Sequence, residues 1–455
     1  MRNLFSVVLW GDECVQRFLK ACLPTLLTPG NLGGVVREQG SKFLIITTRV
    51  DATRIRTSPI FAALQDQIEV VFIIISRPGG ANKYAALSRQ QMKIIDRSAV
   101  FDTVFFLYPD FVFSDGSIGR ALERLASGYE AVALPIPRVL EEQLIPELAR
   151  FGIVGQPGIA ISPSAFVELV NRCLHPTHSS YKWKNPEMSG YPSTLLWEMP
   201  NGGMLFRCFH LHPLAMRVQR HRTAYNAPFR VSLDEEYFPR VFPDIEGIYC
   251  MPGSHEGAIC SLSPISFRVQ RISKWEKPNR LFLARWAERA TSTLHRQFVT
   301  RAYRWHCGPI SEESWQVVEQ ASLDDVKPIL DRLMISSRML RIEDPPSYLQ
   351  RRRRLRSFAY WRRSLWRVPL RINDISAMNL AAVVLMRIIW RLLVATRSLD
   401  IGRRLWSIFR LGPRRSLDDM KEGGRLAVFV RLSQGVSITA LGVELVRRMK
   451  FWRKR

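Results

Sequence analysis

Asp102–Gly116 reads DTVFFLYPDFVFSDG, and the fold is decided there. The run Thr103–Leu107 is almost wholly apolar, then breaks into a polar turn carrying Asp110 and Asp115. A continuous apolar run between helical segments is the pattern of a parallel strand buried on both faces. In open α/β sheets, ligands bind at the carboxyl ends of the strands. A carboxylate at such an end can hold a divalent cation, and the cation can neutralise a diphosphate.

Working outward, the same alternation repeats. Leu4–Leu9 predicts a first strand ending at Trp10-Gly11-Asp12, and Val15–Leu27 has helical spacing that stops at Pro29-Gly30. Lys42–Thr48 predicts a second strand, Ala52–Leu64 a helix, and Glu69–Ile75 a third strand closed by Arg77-Pro78-Gly79-Gly80. Lys83–Ala99 is helical in spacing and leads into the Asp102 stretch; Ser117–Ser127 and Glu130–Ile136 continue as helix and fifth strand. Strands separated by helices predict an α/β domain with a mostly parallel, doubly wound sheet and helices on both faces.

The 455 residues are long enough for more than one domain, and their formal charge of +26 is unevenly placed. Residues 265–455 hold 40 Lys+Arg against 16 Asp+Glu, a net of +24, whereas residues 1–264 hold 26 against 24, a net of +2. The division expected is therefore 1–264 as the α/β domain, 265–345 as a helical linker or extension, and 346–455 as an Arg/Trp-rich amphipathic region. Such asymmetry directs the basic part at a polyanion. The seven cysteines are scattered and form no C-x-x-C pair, which supports reduced thiols in the cytoplasm and no zinc ribbon. Asp12 and Glu13 follow the first apolar run at once, so that run reads as a strand and not as a signal peptide.

No G-x-G-x-x-G follows the first strand, and neither G-x-x-x-x-G-K-[ST] nor G-x-S-x-G occurs. These absences count against dinucleotide-binding Rossmann domains, P-loop NTPases and α/β-hydrolases. The remaining pattern joins the strand–helix order to Gly79-Gly80-Ala81-Asn82-Lys83 opening a helix and to a carboxylate turn after the fourth strand. It resembles the GT-A nucleotide-diphospho-sugar transferases, in particular the bacterial family-two-like glycosyltransferases, over roughly residues 1–264. That resemblance implies a sugar moved from a nucleotide-sugar donor to a hydroxyl of a glycan or lipid-linked acceptor, in polysaccharide biosynthesis, by a hexosyltransferase-like enzyme. It also implies Mn2+ or Mg2+ as a cofactor. The family's metal motif is Asp-x-Asp, and this chain has Tyr108-Pro109-Asp110, so Asp110 is the one ligand carried over. A later His often completes the metal or phosphate contact, and Phe209-His210-Leu211-His212-Pro213 stands at a suitable distance.

Each of these residues also has a plainer reading. Asp110 serves either the metal or diphosphate or the turn itself, and Asp115-Gly116-Ser117 fits a turn leading into a helix cap. Thr48 and Asp51 follow the second strand, where the family meets the nucleoside; Asp51 is equally placed to cap the next helix. Asp12 could touch base or ribose, or cap. Lys83 at a helix start could pair with a phosphate, or be solvated. His210 and His212 alternate on an expected strand Met204–His212 and would share a face there, with His212 the better placed for a metal. An inverting transferase needs a carboxylate base near the acceptor hydroxyl. Asp234 and Glu235, in the acidic run 232–236, are the candidates against a helix start capped by Ser232; Glu141 and Glu142 are weaker competitors.

Beyond 264, Leu281–Tyr303 and Glu312–Met339 have helical spacing. Residues 351–356 read RRRRLR, and the apolar window Met378–Val394 is interrupted by Arg387 and Arg391. A span needs about 20 apolar residues, so a helix lying in the headgroup plane is expected instead. Docking on an anionic membrane surface is favoured over nucleic acid, with ordinary helical packing as a third reading. The place implied is cytoplasmic and peripheral at a bacterial inner membrane. A rival function is an inactive GT-A-like scaffold whose basic half binds membrane or nucleic acid, a reading that Tyr108 in the place of an acid favours.

Overall fold

The computed structural model describes residues 1–35, 40–78, 83–183, 187–189, 191–267, 272–274 and 280–339. The loop 79–82, the side chain of Lys83 and the whole basic region 346–455 lie outside them, as do the readings placed on those residues. Among the described residues, seven strands form the central sheet: β1 (Asn3–Val8), β2 (Lys42–Thr48), β3 (Glu69–Ile75), β4 (Thr103–Leu107), β5 (Ala131–Leu134), β6 (His212–Arg217) and β7 (Ile248–Cys250). Their order is β7-β5-β6-β4-β1-β2-β3. Every neighbouring pair is parallel except those of β6, which runs antiparallel between β4 and β5. The chain is thus α/β, with the mostly parallel doubly wound sheet expected from the alternation.

Burial explains why the apolar runs read so clearly. Every residue of β1 and of β4 is buried, so helices cover both faces of these central strands. Phe5 of β1 stands opposite both Phe43 and Phe105, and its ring stacks on Phe105 at 4.6 Å between centroids. The outer strand β3 is half-exposed along most of its length, as an edge is. On the helix Ser117–Ala126, Ile118, Ala121 and Leu125 are buried at helical spacing, and Gly116 supplies the left-handed turn before it (φ 86°).

Some expectations change in detail, as over Leu281–Tyr303, where two helices, Arg280–Ala290 and Thr293–Phe298, are followed by a strand beginning at Tyr303. The helix expected over Ala52–Leu64 is two, Arg49–Arg56 and Pro59–Gln67, because Pro59 can start a helix but not continue one. The strand expected over Met204–His212 is also two. Met204–Cys208 pairs with Thr194–Glu198 and Tyr303–Trp305 in a separate sheet, and β6 begins only at His212. His210 and His212 therefore do not share a strand face.

A second apolar core lies on this side sheet. Trp183, Trp197, Leu205 and Phe209 pack there with Trp286, Trp315, Val326 and Leu333. Residues 280–333 are thus packed against residues of the first 264, and position 264 is no break in the packing. Among the described residues, no helix is long and apolar enough to cross a membrane.

Candidate active site

β4 ends at Leu107, and Tyr108-Pro109-Asp110 carries the chain from the central sheet into a smaller one. There Phe111–Phe113 pairs with Ile259–Ser263, which also pairs with Arg138–Leu140. Asp110 is fastened at that crossing. Its carbonyl accepts from the Leu262 amide (2.8 Å), and its carboxylate Oδ2 accepts from the Ser261 hydroxyl (2.6 Å). The side chain stays half-buried, and its charge helps burial raise the thiol pKa values of Cys14, Cys22 and Cys260.

Tyr108 sets its ring edge-on to Phe111 at 5.0 Å and tilts against the His212 ring at 5.1 Å. Its hydroxyl accepts from Nε2 of Gln91 (3.1 Å), a buried residue of the helix Lys83–Arg97. Burial, then the charges of Asp234 and Asp110, push the Tyr108 hydroxyl well above the usual tyrosine range. His212, at the start of β6, lies 2.8 Å through Nε2 from the Phe106 carbonyl. A carbonyl only accepts, so Nε2 carries the hydrogen. Burial lowers the His212 pKa, while the Phe106 bond and the charges of Asp234 and Asp110 oppose it. The sequence thus places Asp110, His212 and Asp234 in one electrostatic neighbourhood, at the end of the strand quoted first.

Asp234 arrives there from a turn built by its neighbours. The Ser232 hydroxyl accepts from the Glu235 amide (3.3 Å) and caps the π-helical turn Leu233–Tyr237. Glu236 is buried, accepts from the amides of Arg230 and Val231 (both 3.0 Å) and pairs with Arg240. The Glu235 carboxylate accepts from the Tyr191 hydroxyl. Asp234 is half-buried, and its main-chain carbonyl accepts from Nε2 of His295 (2.8 Å). The Asp234 carboxylate acts on both His212 and Tyr108. His210 turns elsewhere: its Nε2 lies 3.3 Å from the Ala290 carbonyl and its ring 4.3 Å from that of His295.

The end of β2 is internally closed. Thr48 caps the helix Arg49–Arg56 by accepting from the Asp51 amide (3.2 Å), so the cap is Thr48 and not Asp51. The Asp51 Oδ2 accepts from the Thr48 hydroxyl (2.7 Å) and from the Gly11 amide (3.0 Å), joining the ends of β1 and β2. Asp12 is exposed and accepts from Arg54 (3.0 Å). Asp115 accepts from the Gly30 amide (2.7 Å), as a turn residue does. Glu141 pairs with Arg17, and Glu142 accepts from the Ile265 amide (2.9 Å). Sequence reasoning passed over Gln91 and His295, whose partners lie 17 and 61 residues away.

The divalent cation expected with Asp110 and His212 would have two protein side chains to hold it. Among the described residues, no three His, Cys, Asp or Glu side chains are grouped to hold a metal ion. The His212 Nε2 is engaged with the Phe106 carbonyl, and Tyr108 stands where the motif has an acid. With Nε2 donating to that carbonyl, Nδ1 of His212 is the ring atom that would face an ion, and Asp110 would be the carboxylate beside it.

No protein-family model matches the chain, and no curated protein matches it. Solved structures do. S. aureus TarS 1-349 aligns over 66% of this chain and 70% of its own, with 10% identity and a TM-score of 0.34. A longer S. aureus TarS chain aligns over 66% of this chain at 9% identity and a TM-score of 0.30, and 42% of that chain is covered. A putative glucose-1-phosphate thymidylyltransferase from Bacillus anthracis aligns over 31% of this chain and 57% of its own, with 14% identity and a TM-score of 0.19. Overlaps this low say nothing of chemistry, and the strand order stands on this chain's own pairing.

Proposed function

We propose that this chain is a GT-A-type glycosyltransferase moving a sugar from a nucleotide-diphosphate donor to a hydroxyl of a glycan or lipid-linked acceptor. The observation that carries the reading is the convergence of the Asp110 and Asp234 charges on the Tyr108–His212 ring pair at the carboxyl end of β4. Asp234 is the base. Its carboxylate takes the acceptor hydroxyl proton while that oxygen bonds the sugar's anomeric carbon and the bond to the diphosphate breaks. The nucleoside diphosphate leaves with the bonding electrons. Asp110, held by Ser261, lines the donor side together with His212. Asp12 meets base or ribose, and Thr48 and Asp51 shape the floor beneath it. Lys83 is proposed as the countercharge for the leaving diphosphate, and the region 346–455 as the part that docks on an anionic inner-membrane surface facing the cytoplasm.

The second reading, an inactive scaffold, is favoured by one observation: Tyr108 occupies the place of the first motif acid. A panel of UDP-, GDP- and dTDP-sugars separates the two. The transferase releases nucleoside diphosphate from at least one of them. A full-length chain that neither turns over a panel member nor binds UDP or GDP in calorimetry, with or without manganese, is the scaffold. Cosedimentation with anionic vesicles, with DNA as competitor, tests the basic region separately.

A further inference from the structure

His295 is fully buried and has a defined task on each side of its ring. It is the third residue of the short helix Thr293–Phe298; its Nδ1 accepts from the Ser292 amide (3.0 Å), and the His295 amide donates to the Ser292 hydroxyl (3.4 Å). With Nδ1 accepting, the ring hydrogen stands on Nε2, which donates to the Asp234 carbonyl (2.8 Å). The imidazole plane is held by His210, T-shaped at 4.3 Å, and by Phe298 at 6.4 Å. His210 is in turn braced against Trp286 and Tyr191, both 6.0 Å away. The same Tyr191 donates to Glu235, the residue after Asp234. Tyr191 and the helix Thr293–Phe298 thereby grip the turn 233–237 at two successive residues.

We infer that His295 is a positioning residue for Asp234, fixing that residue's peptide and so where its carboxylate stands relative to His212 and Tyr108. The inference rests on Asp234 being the base. It also assigns a purpose to residues 280–298: they form the rear wall of the site. A misplacement of about 1 Å at such a distance from the chemistry costs up to about a hundredfold in rate.

Two substitutions divide the two tasks of the ring. In His295→Asn the amide oxygen takes the place of Nδ1 and keeps the Ser292 bond, but the side chain is too short to reach Asp234. In His295→Gln the amide nitrogen takes the place of Nε2 and keeps the donor. Release of nucleoside diphosphate is measured with whichever of UDP-, GDP- or dTDP-glucose the wild-type chain turns over, and hydrogen exchange is followed over 233–237. The expected result for His295→Asn is a kcat lower by about tenfold to a hundredfold, KM unchanged, and faster exchange at 233–237 with 293–298 still protected. His295→Gln restores most of both. Equal kcat and equal exchange in the two variants overturn the inference, and so does a loss confined to KM. A wild-type chain without any turnover sinks the transferase reading, and the exchange comparison alone then upholds or overturns the positioning of Asp234 by His295.

Discussion

Replacing Asp51 by alanine removes one carboxylate oxygen that serves two donors, one at the end of β2 and one just beyond β1. That oxygen accepts from the Gly11 amide at 3.0 Å and from the Thr48 hydroxyl at 2.7 Å, in a residue only 4% exposed. A hydrogen bond to a charged partner contributes about 1.5–3 kcal/mol net, so the lower end for two is about 3 kcal/mol. The other oxygen lies 3.7 Å from the half-exposed Arg54 guanidinium, a pair that adds little. Asp51→Asn keeps an oxygen where both donors point, now uncharged and about half as strong, so its loss is about 1.5 kcal/mol. Urea unfolding followed by circular dichroism gives both values, provided the slope of the transition is unchanged. UDP binding by calorimetry is measured on the same variants under native conditions. The expected order of stability is wild type, Asp51→Asn, Asp51→Ala, with the midpoints falling in step. If Asp51→Ala unfolds with the wild type and loses only nucleotide binding, Asp51 belongs to the ligand, and the lock between β1 and β2 is wrong.

His178 accepts from the Arg138 amide through Nε2 (2.7 Å), and burial lowers its pKa from 6.5 to about 3. Its unfolded form binds a proton below pH 6.5 and its folded form does not until about 3, so stability is full above that window and falls with pH inside it. The slope is about 1.4 kcal/mol per pH unit, and His178→Gln removes it; an unaltered slope in the variant shows that the ring protonates in place. At Gly30, a Cβ would stand 2.6 Å from the Gly116 nitrogen and 2.8 Å from both Asp115 oxygens. Gly30→Ala therefore lowers stability by about 1–3 kcal/mol in the same urea assay, and a neutral result contradicts the close packing of those loops.

What was legible in the sequence follows from where the information lies. β1, β2 and β4 are buried on both faces, so their apolar runs announce them without reference to anything else. β6 was not legible, because FRCFHLHP carries no Gly or other turn signal at the point where the chain changes sheets. Alternation within one segment cannot reveal which strands pair with it. Thr48 reads as a site residue and Asp51 as site or cap, but the Gly11 amide that engages the Asp51 carboxylate is 40 residues away. His295 carried no signal at all: a single histidine on a short helix acquires meaning only from the carbonyl it meets. Asp110 is legible from the carboxyl end of its apolar strand and Asp234 from the acidic run 232–236, but their joint action on Tyr108 and His212 appears only once the sheet is assembled. The basic region 346–455 lies outside the described residues, and its membrane docking stays with the vesicle experiment.

The proposed sugar transfer depends on Asp234 accepting a proton from the acceptor hydroxyl. Asp234→Asn keeps the size of the side chain and removes its basicity, so one titration and one rate decide the matter. Nucleotide affinity unchanged, with turnover of the active nucleotide sugar lowered at least about a hundredfold, is the result predicted. Turnover at the wild-type rate with the amide in place contradicts it.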